Sequence, residues 1–168
     1  MKIASFILAC LGIFILVGEP LKAQNISSLH TLKLVGLNGR NFQFNEDSLK
    51  TYPKTEIIRK DKDGKEHSYS GVILSYLLAK IGVPQNGALR GKSLSQYLLV
   101  KAYDGYQVVF ALPELDSDFS DSPVILANRV DGMPFIDTEG PFRIIVQKDK
   151  KPARCVRQVM ELRILSSQ

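Results

Sequence analysis

Between residues 143 and 157 stand six bases, Arg143, Lys148, Lys150, Lys151, Arg154 and Arg157, against one acid, Asp149. Arginine presents a planar fork of donors that matches phosphate and carboxylate oxygens, so this density of charge points first to the holding of an anion. Arg154 and Arg157 are the candidates for that grip. The competing assignment is a set of ion pairs with acids elsewhere in the chain. On an extended strand the two residues point to opposite faces, so both reach one ligand only through a bend or a helical turn. Cys155 lies between them. Flanking positive charge favours the thiolate, the form that attacks carbon or binds metal, whereas a cysteine at the head of an apolar strand commonly serves as a small buried hydrophobe.

The acids are as segregated as the bases. Residues 104–139 hold Asp104, Glu114, Asp116, Asp118, Asp121, Asp131, Asp137 and Glu139 against a single base, Arg129. Such division speaks against a continuous nucleic-acid-binding stripe and for a focused anion site or an internal acid-base face. A general acid-base pair could be drawn from these carboxylates, but a solvated connector accounts for them more simply. His30 and His67 are the only histidines. They stand far apart with no second cysteine near them, which argues against an all-protein zinc or iron-sulfur site. Hydrolase elbow, phosphate-cradling loop, dinucleotide fingerprint and zinc-protease motifs are all missing.

The elements that must position these groups are mostly strands. Alternating apolar and polar residues in "HTLKLVG" and "RNFQF", joined at Asn38-Gly39, predict one hairpin; "TEIIRK" and "KEHSYS", joined at Asp63-Gly64, predict a second. "NEDSLKTYP" between them suits a short helical turn ended by Pro53. From Val72 the period changes: Ile73, Leu74, Leu77, Leu78 and Ile81 share a helical face, with Gly82 as cap and Pro84 beyond it, so a helix is expected over about residues 72–82. "YLLVKAYDGYQVVFAL" predicts two strands around Asp104-Gly105, "PELDSDFSDSP" an acidic connector, and "VILANRV", "FRIIV" and "VMELRIL" three more strands. This makes a single α+β domain, mainly β-sheet.

Lys2, the apolar run from Ile3 to Val17 and the small residue Ala23 have the plan of a secretory signal peptide over residues 1–23. About 20 apolar residues are needed to cross a bilayer, and this run stops short. The expectation is a periplasmic or secreted domain over residues 24–168, with no transmembrane span after signal removal. Cys10 leaves with the signal, so Cys155 has no partner for an internal disulfide.

In order along the chain stand "YSGVILSYLLAKIGVP", "VKAYDGYQVVFALPEL" and "PVILANRVDGMPFIDTEGPFRIIVQKDKKPARCVRQVMELRI". Asp104-Gly105, Leu112-Pro113, Asp131-Gly132 with Pro134, Gly140-Pro141 with Arg143, and Arg154 with Arg157 mark the series. Together they resemble the oxidoreductase molybdopterin-binding domain, the cofactor domain of the sulfite oxidase family, over roughly residues 30–165. The resemblance implies a mixed α+β fold built on sheet and, in catalytic members, a molybdopterin whose dithiolene holds molybdenum. It also implies that Arg154 and Arg157 meet the anionic end of the cofactor.

Two departures weaken the implied chemistry. Catalytic members ligate the metal through a cysteine in the region that here reads "TEIIRKDKDGKEHSYSG", which has none; Arg59, Lys60, Asp61, Lys62 and Asp63 are no substitute for a thiolate. The family's active-site tyrosine aligns with Val108, and Tyr106, two residues earlier on the same strand face, is the nearest replacement. The expectation is thus an exported molybdopterin-binding-like protein without the usual cysteine-ligated chemistry. It would bind a pterin-like or other small anion through Arg154, Arg157 and Tyr106, as a carrier or beside a partner redox subunit, with no nucleic acid involved. The alternative is a non-catalytic binding or interaction module on the same scaffold, since fold alone does not establish function.

Overall fold

The computed structural model describes residues 31–167, so the expected signal peptide lies outside the described residues. Among the described residues, ten strands form two five-stranded sheets. The first runs in the order β2 (Asn41–Phe44), β1 (Leu32–Val35), β10 (Val159–Ser166), β5 (Gln96–Ala102), β6 (Gln107–Ala111). Its only parallel contact joins β1 to β10. The second, antiparallel throughout, runs β3 (Thr55–Lys60), β4 (Glu66–Ile73), β7 (Val124–Val130), with β8 (Met133–Pro134) and β9 (Arg143–Val146) both beside β7. This is the mixed, mainly β, α+β domain expected from the strand periodicities.

The apolar runs of β7 and β9 reflect burial of these two strands on both faces, whereas the edge strand β3 keeps one face exposed. Successive strand residues point to opposite sides. Leu126, Ile144 and Val146 therefore enter the main core with Leu34, Val100, Phe110 and Leu162 of the first sheet. Ile125, Ala127 and Ile145 form a smaller cluster with Ile57, Tyr69 and Phe135. Arg143 shares a face with Ile145, and so its charge is carried to the small cluster.

Helix α1 (Glu46–Leu49) is the turn expected before Pro53, capped by reciprocal Asn45 and Ser48 bonds. Helix α2 spans Leu74–Ala79, shorter than the expected 72–82. Val72 and Ile73 belong instead to β4, where they pair with Leu126 and Ile125, so long-range strand pairing overrides the helical periodicity at that end. The chain leaves α2 through Gly82, whose φ of +80° suits glycine, as the Val83 amide bonds back to the Leu78 carbonyl at 3.3 Å.

Candidate functional site

A cavity of about 560 Å³ opens where the β3–β4 turn, the β7–β8 turn and the 152–157 segment converge. Asp61, Lys62 and Asp63 come from the first of these and Asp131 from the second. Cys155 and Arg157 come from the third, while Glu139, Arg143 and Tyr69 close the floor. A smaller hollow of about 240 Å³, which includes Tyr106, shares Lys62, Pro152, Cys155 and Arg157 with it, so the two form one cleft.

The floor is a chain of polar contacts inside an aromatic frame. Arg143 is 6% exposed and lies against the rings of Tyr69 and Phe135, its guanidinium carbon 5.4 and 5.1 Å from their centroids. Its Nη1 donates to Glu139 Oε2 at 3.0 Å, and Glu139 Oε1 meets Arg157 Nη2 at 3.2 Å. The Tyr69 hydroxyl donates to Asp61, and Asp61 lies 3.5 Å from Arg59 Nε. Burial, reinforced by that bond to Asp61, pushes the Tyr69 phenol well above its ordinary range, so it acts as a donor.

His67 ties the two turns together across the mouth. Its Nδ1 is 2.6 Å from Asp131 and its Nε2 3.1 Å from Asp63. Hydrogen bonds to Asp131 and then Asp63 raise its pKa from 6.5 to about 8, while Asp131 and Asp63 are lowered from 3.8. The His67 contribution to stability is therefore fully present below pH 6.5 and is lost as pH rises through about 8. The carboxylate contribution runs the other way and is lost below pH 3.8. The parent protein is expected to lose melting temperature between pH 6.5 and 8, and His67→Gln to flatten that fall. A pH series of thermal melts on both proteins checks this, and an unchanged slope in the variant would exclude His67 as its source.

The three residues singled out in the sequence occupy different places. Arg157 lines the cleft, with its side chain 60% exposed. Tyr106 stands beside it, 47% exposed, its hydroxyl donating to the Ala153 carbonyl at 2.8 Å. Arg154 is not part of the cavity wall. A 3-10 turn at Pro152–Arg154 supplies the bend that could have brought the two arginines together, but Arg154 turns to Asp149 with two bonds of 2.8 Å and to Glu114 of the acidic connector at 2.6 Å. Its guanidinium also covers Phe110, 4.7 Å from the ring centroid.

Cys155 does reach the cavity, as the sequence did not require, but not as an activated thiol. Burial raises its pKa and outweighs the opposing pull of Arg59 and Arg143. The Val146 amide faces its Sγ at 3.5 Å. Local sequence suggested the reverse shift because neighbours in the chain were taken for neighbours in space. Arg143, missed as a site residue, carried a signal: period two sets it on the Ile145 face, pointing away from the main core.

The lining suits one end of a pterin cofactor. Arg157, Lys62 and Arg143 offer donors to a phosphate, and the Arg143 Nε is buried with no partner. The metal end finds no match. Cys155 is the free cysteine of the described residues, and its thiol is held protonated. Among the described residues no group of three or more His, Cys, Asp or Glu side chains is placed to hold a metal ion.

No family model matches the chain, and no curated protein matches it. Among solved structures it is similar to the sulfane dehydrogenase SoxCD from Paracoccus pantotrophus, with 19% identity and a TM-score of 0.64 over 82% of this chain. The match spans 38% of the SoxCD chain. The likeness at that identity is one of fold: a domain of this size and topology is built into a larger oxidoreductase.

Proposed function

We propose that the chain is an exported molybdopterin-binding-like protein whose cleft holds a pterin-like or other small phosphate-bearing anion, and that it lacks cysteine-ligated molybdenum chemistry. The carrying observation is the cavity itself: about 560 Å³, edged by Arg157, Lys62 and Arg143, with a protonated thiol as its one sulfur. Molybdopterin, when bound to a protein, supplies a dithiolene that holds a redox metal. Here the chain's own residues would bind the phosphate through Arg157 and Lys62, and Tyr106 would flank the ring at the rim. Arg154 would serve the site from behind, by tying the 152–157 segment to Asp149 and to Glu114. Export rests on the segment before Ala23, and a mature chain beginning at Gln24 in intact-mass measurement would support it.

The test is metal analysis together with fluorescence of oxidised pterin on protein purified from its host's envelope. Pterin without stoichiometric molybdenum is the expected result. Combined Lys62→Ala and Arg157→Ala should weaken retention by about tenfold or more, because hydrogen bonds to charged groups contribute ~1.5–3 kcal/mol each. Folded material free of pterin would favour the second reading, an interaction module. That reading draws on Met133 and Ile136, each 67% exposed beside the β7–β8 turn.

A further inference from the structure

Glu139 stands in the cleft as a ligand would. Its two carboxylate oxygens are divided between two guanidiniums, Arg143 at 3.0 Å and Arg157 at 3.2 Å. The other acids of the cavity are spoken for, Asp61 by Tyr69 and Arg59, Asp63 and Asp131 by His67. That leaves Arg143 and Arg157 meeting one carboxylate, with Lys62 also on the cavity wall and the buried Arg143 Nε without a hydrogen bond. Arg143 Nε is a buried donor without a hydrogen bond, as is Arg59 Nε behind Asp61, and an acceptor entering the cleft would account for the first. Arg143 also rests against both Tyr69 and Phe135, which stack on each other with centroids 6.3 Å apart, so the clamp is pre-organised whichever anion fills it.

We infer that Glu139 is a resident stand-in for a tetrahedral oxyanion, and that a phosphate group enters the cleft by displacing its carboxylate from between Arg143 and Arg157. A carboxylate offers two oxygens, one per guanidinium. A phosphate monoester offers three and the greater charge, enough to bridge both arginines and engage Lys62. Displacement needs no refolding. The Glu139 backbone is tied down on both sides, its amide donating to the Ile136 carbonyl at 2.9 Å and its carbonyl accepting from the Gln158 amide at 3.0 Å. The side chain is 24% exposed and can rotate into water. Glu139 therefore sets a threshold that weakly charged anions fail to cross and a divalent phosphate does.

The inference rests on the cleft being an anion site, and calorimetry on the full chain separates the two. Inorganic phosphate is titrated into the parent protein, Glu139→Gln, Glu139→Ala, and Glu139→Ala combined with Arg157→Ala, while pterin fluorescence is read on each preparation. Both single variants should bind phosphate at least about tenfold more tightly than the parent, and the added Arg157→Ala should abolish that gain. Affinities within about twofold of each other, or a gain that survives loss of Arg157, would overturn the clamp. So would failure of the near-isosteric Glu139→Gln to fold, since the carboxylate would then be a structural strut. Tight phosphate binding by Glu139→Gln with no pterin in any preparation would leave the clamp standing and remove the pterin assignment. Pterin in the parent protein with unaltered phosphate affinity in the variants would do the opposite.

Discussion

Gly71→Ala should lower the stability of the domain by ~3 kcal/mol or more, at or beyond the upper end of ordinary overpacking costs. Gly71 lies in β4 at an irregularity in its pairing with β7, between Thr55 on one side and Ala127 on the other. A Cβ placed there would stand 2.1 Å from the Leu126 carbonyl oxygen and 2.5 Å from the Ala127 Cα. Those are backbone atoms of a strand bonded to neighbours on both sides, so they cannot step back as a side-chain end could. The penalty is one of space, since Gly71 has no positive φ for alanine to resent. Urea titration would show a lower midpoint with an unchanged slope. A variant with the parent's midpoint would mean that β4 and β7 separate here at no cost.

Arg59→Met is expected to cost about 3–5 kcal/mol, the range for removing one partner from a buried charged network. The Arg59 side chain is 4% exposed. Its Nη1 donates to the carbonyls of Val146, Gln147 and Asp149 at 2.5, 3.3 and 3.0 Å, pinning the end of β9 to β3. Methionine fills much of the same space but leaves three carbonyl oxygens without that donor and Asp61 without its cation. Arg59→Lys should recover only part of the loss, because one ammonium cannot meet both the carbonyls reached by Nη1 and Asp61 beside Nε. Equilibrium unfolding of the two variants side by side checks both statements. Equal stability of Arg59→Met and the parent would show that the carbonyls find water instead.

Arg59 illustrates what could be read in advance and what was passed over. The β3 alternation sets Arg59 on the same inward face as Ile57 and leaves Ile58 outside, 57% exposed. An arginine on the buried side of a strand is a signal in itself, because such a charge survives only if the fold supplies acceptors. The same periodicity marks Arg143. By its place in the chain Arg59 was of interest only against the missing metal ligand, and Arg143 only as one of the basic cluster and part of a motif. Strand β8, two residues long, had no periodicity to betray it, and the N-terminal end of α2 was decided by the pairing of Val72 and Ile73 with β7, far away in the chain.

Local chemistry alone settled the inventory: the hairpins at Asn38-Gly39, Asp63-Gly64 and Asp104-Gly105, the turn before Pro53, the strand-rich α+β class and the ordered motifs that resemble a molybdopterin-binding domain. Those follow from interactions among residues a few places apart. Tertiary structure alone decided which charges meet. Arg154 goes to Asp149 and Glu114 while Arg157, three residues on, goes to Glu139 in the cleft, and Cys155 between them is governed by its own burial, opposed by the Val146 amide and then by Arg59 and Arg143. The reason is that an ion pair or a desolvation cost depends on separations of a few ångströms and on the exclusion of water. Both are set here by the convergence of two sheets, which no short stretch of this chain encodes.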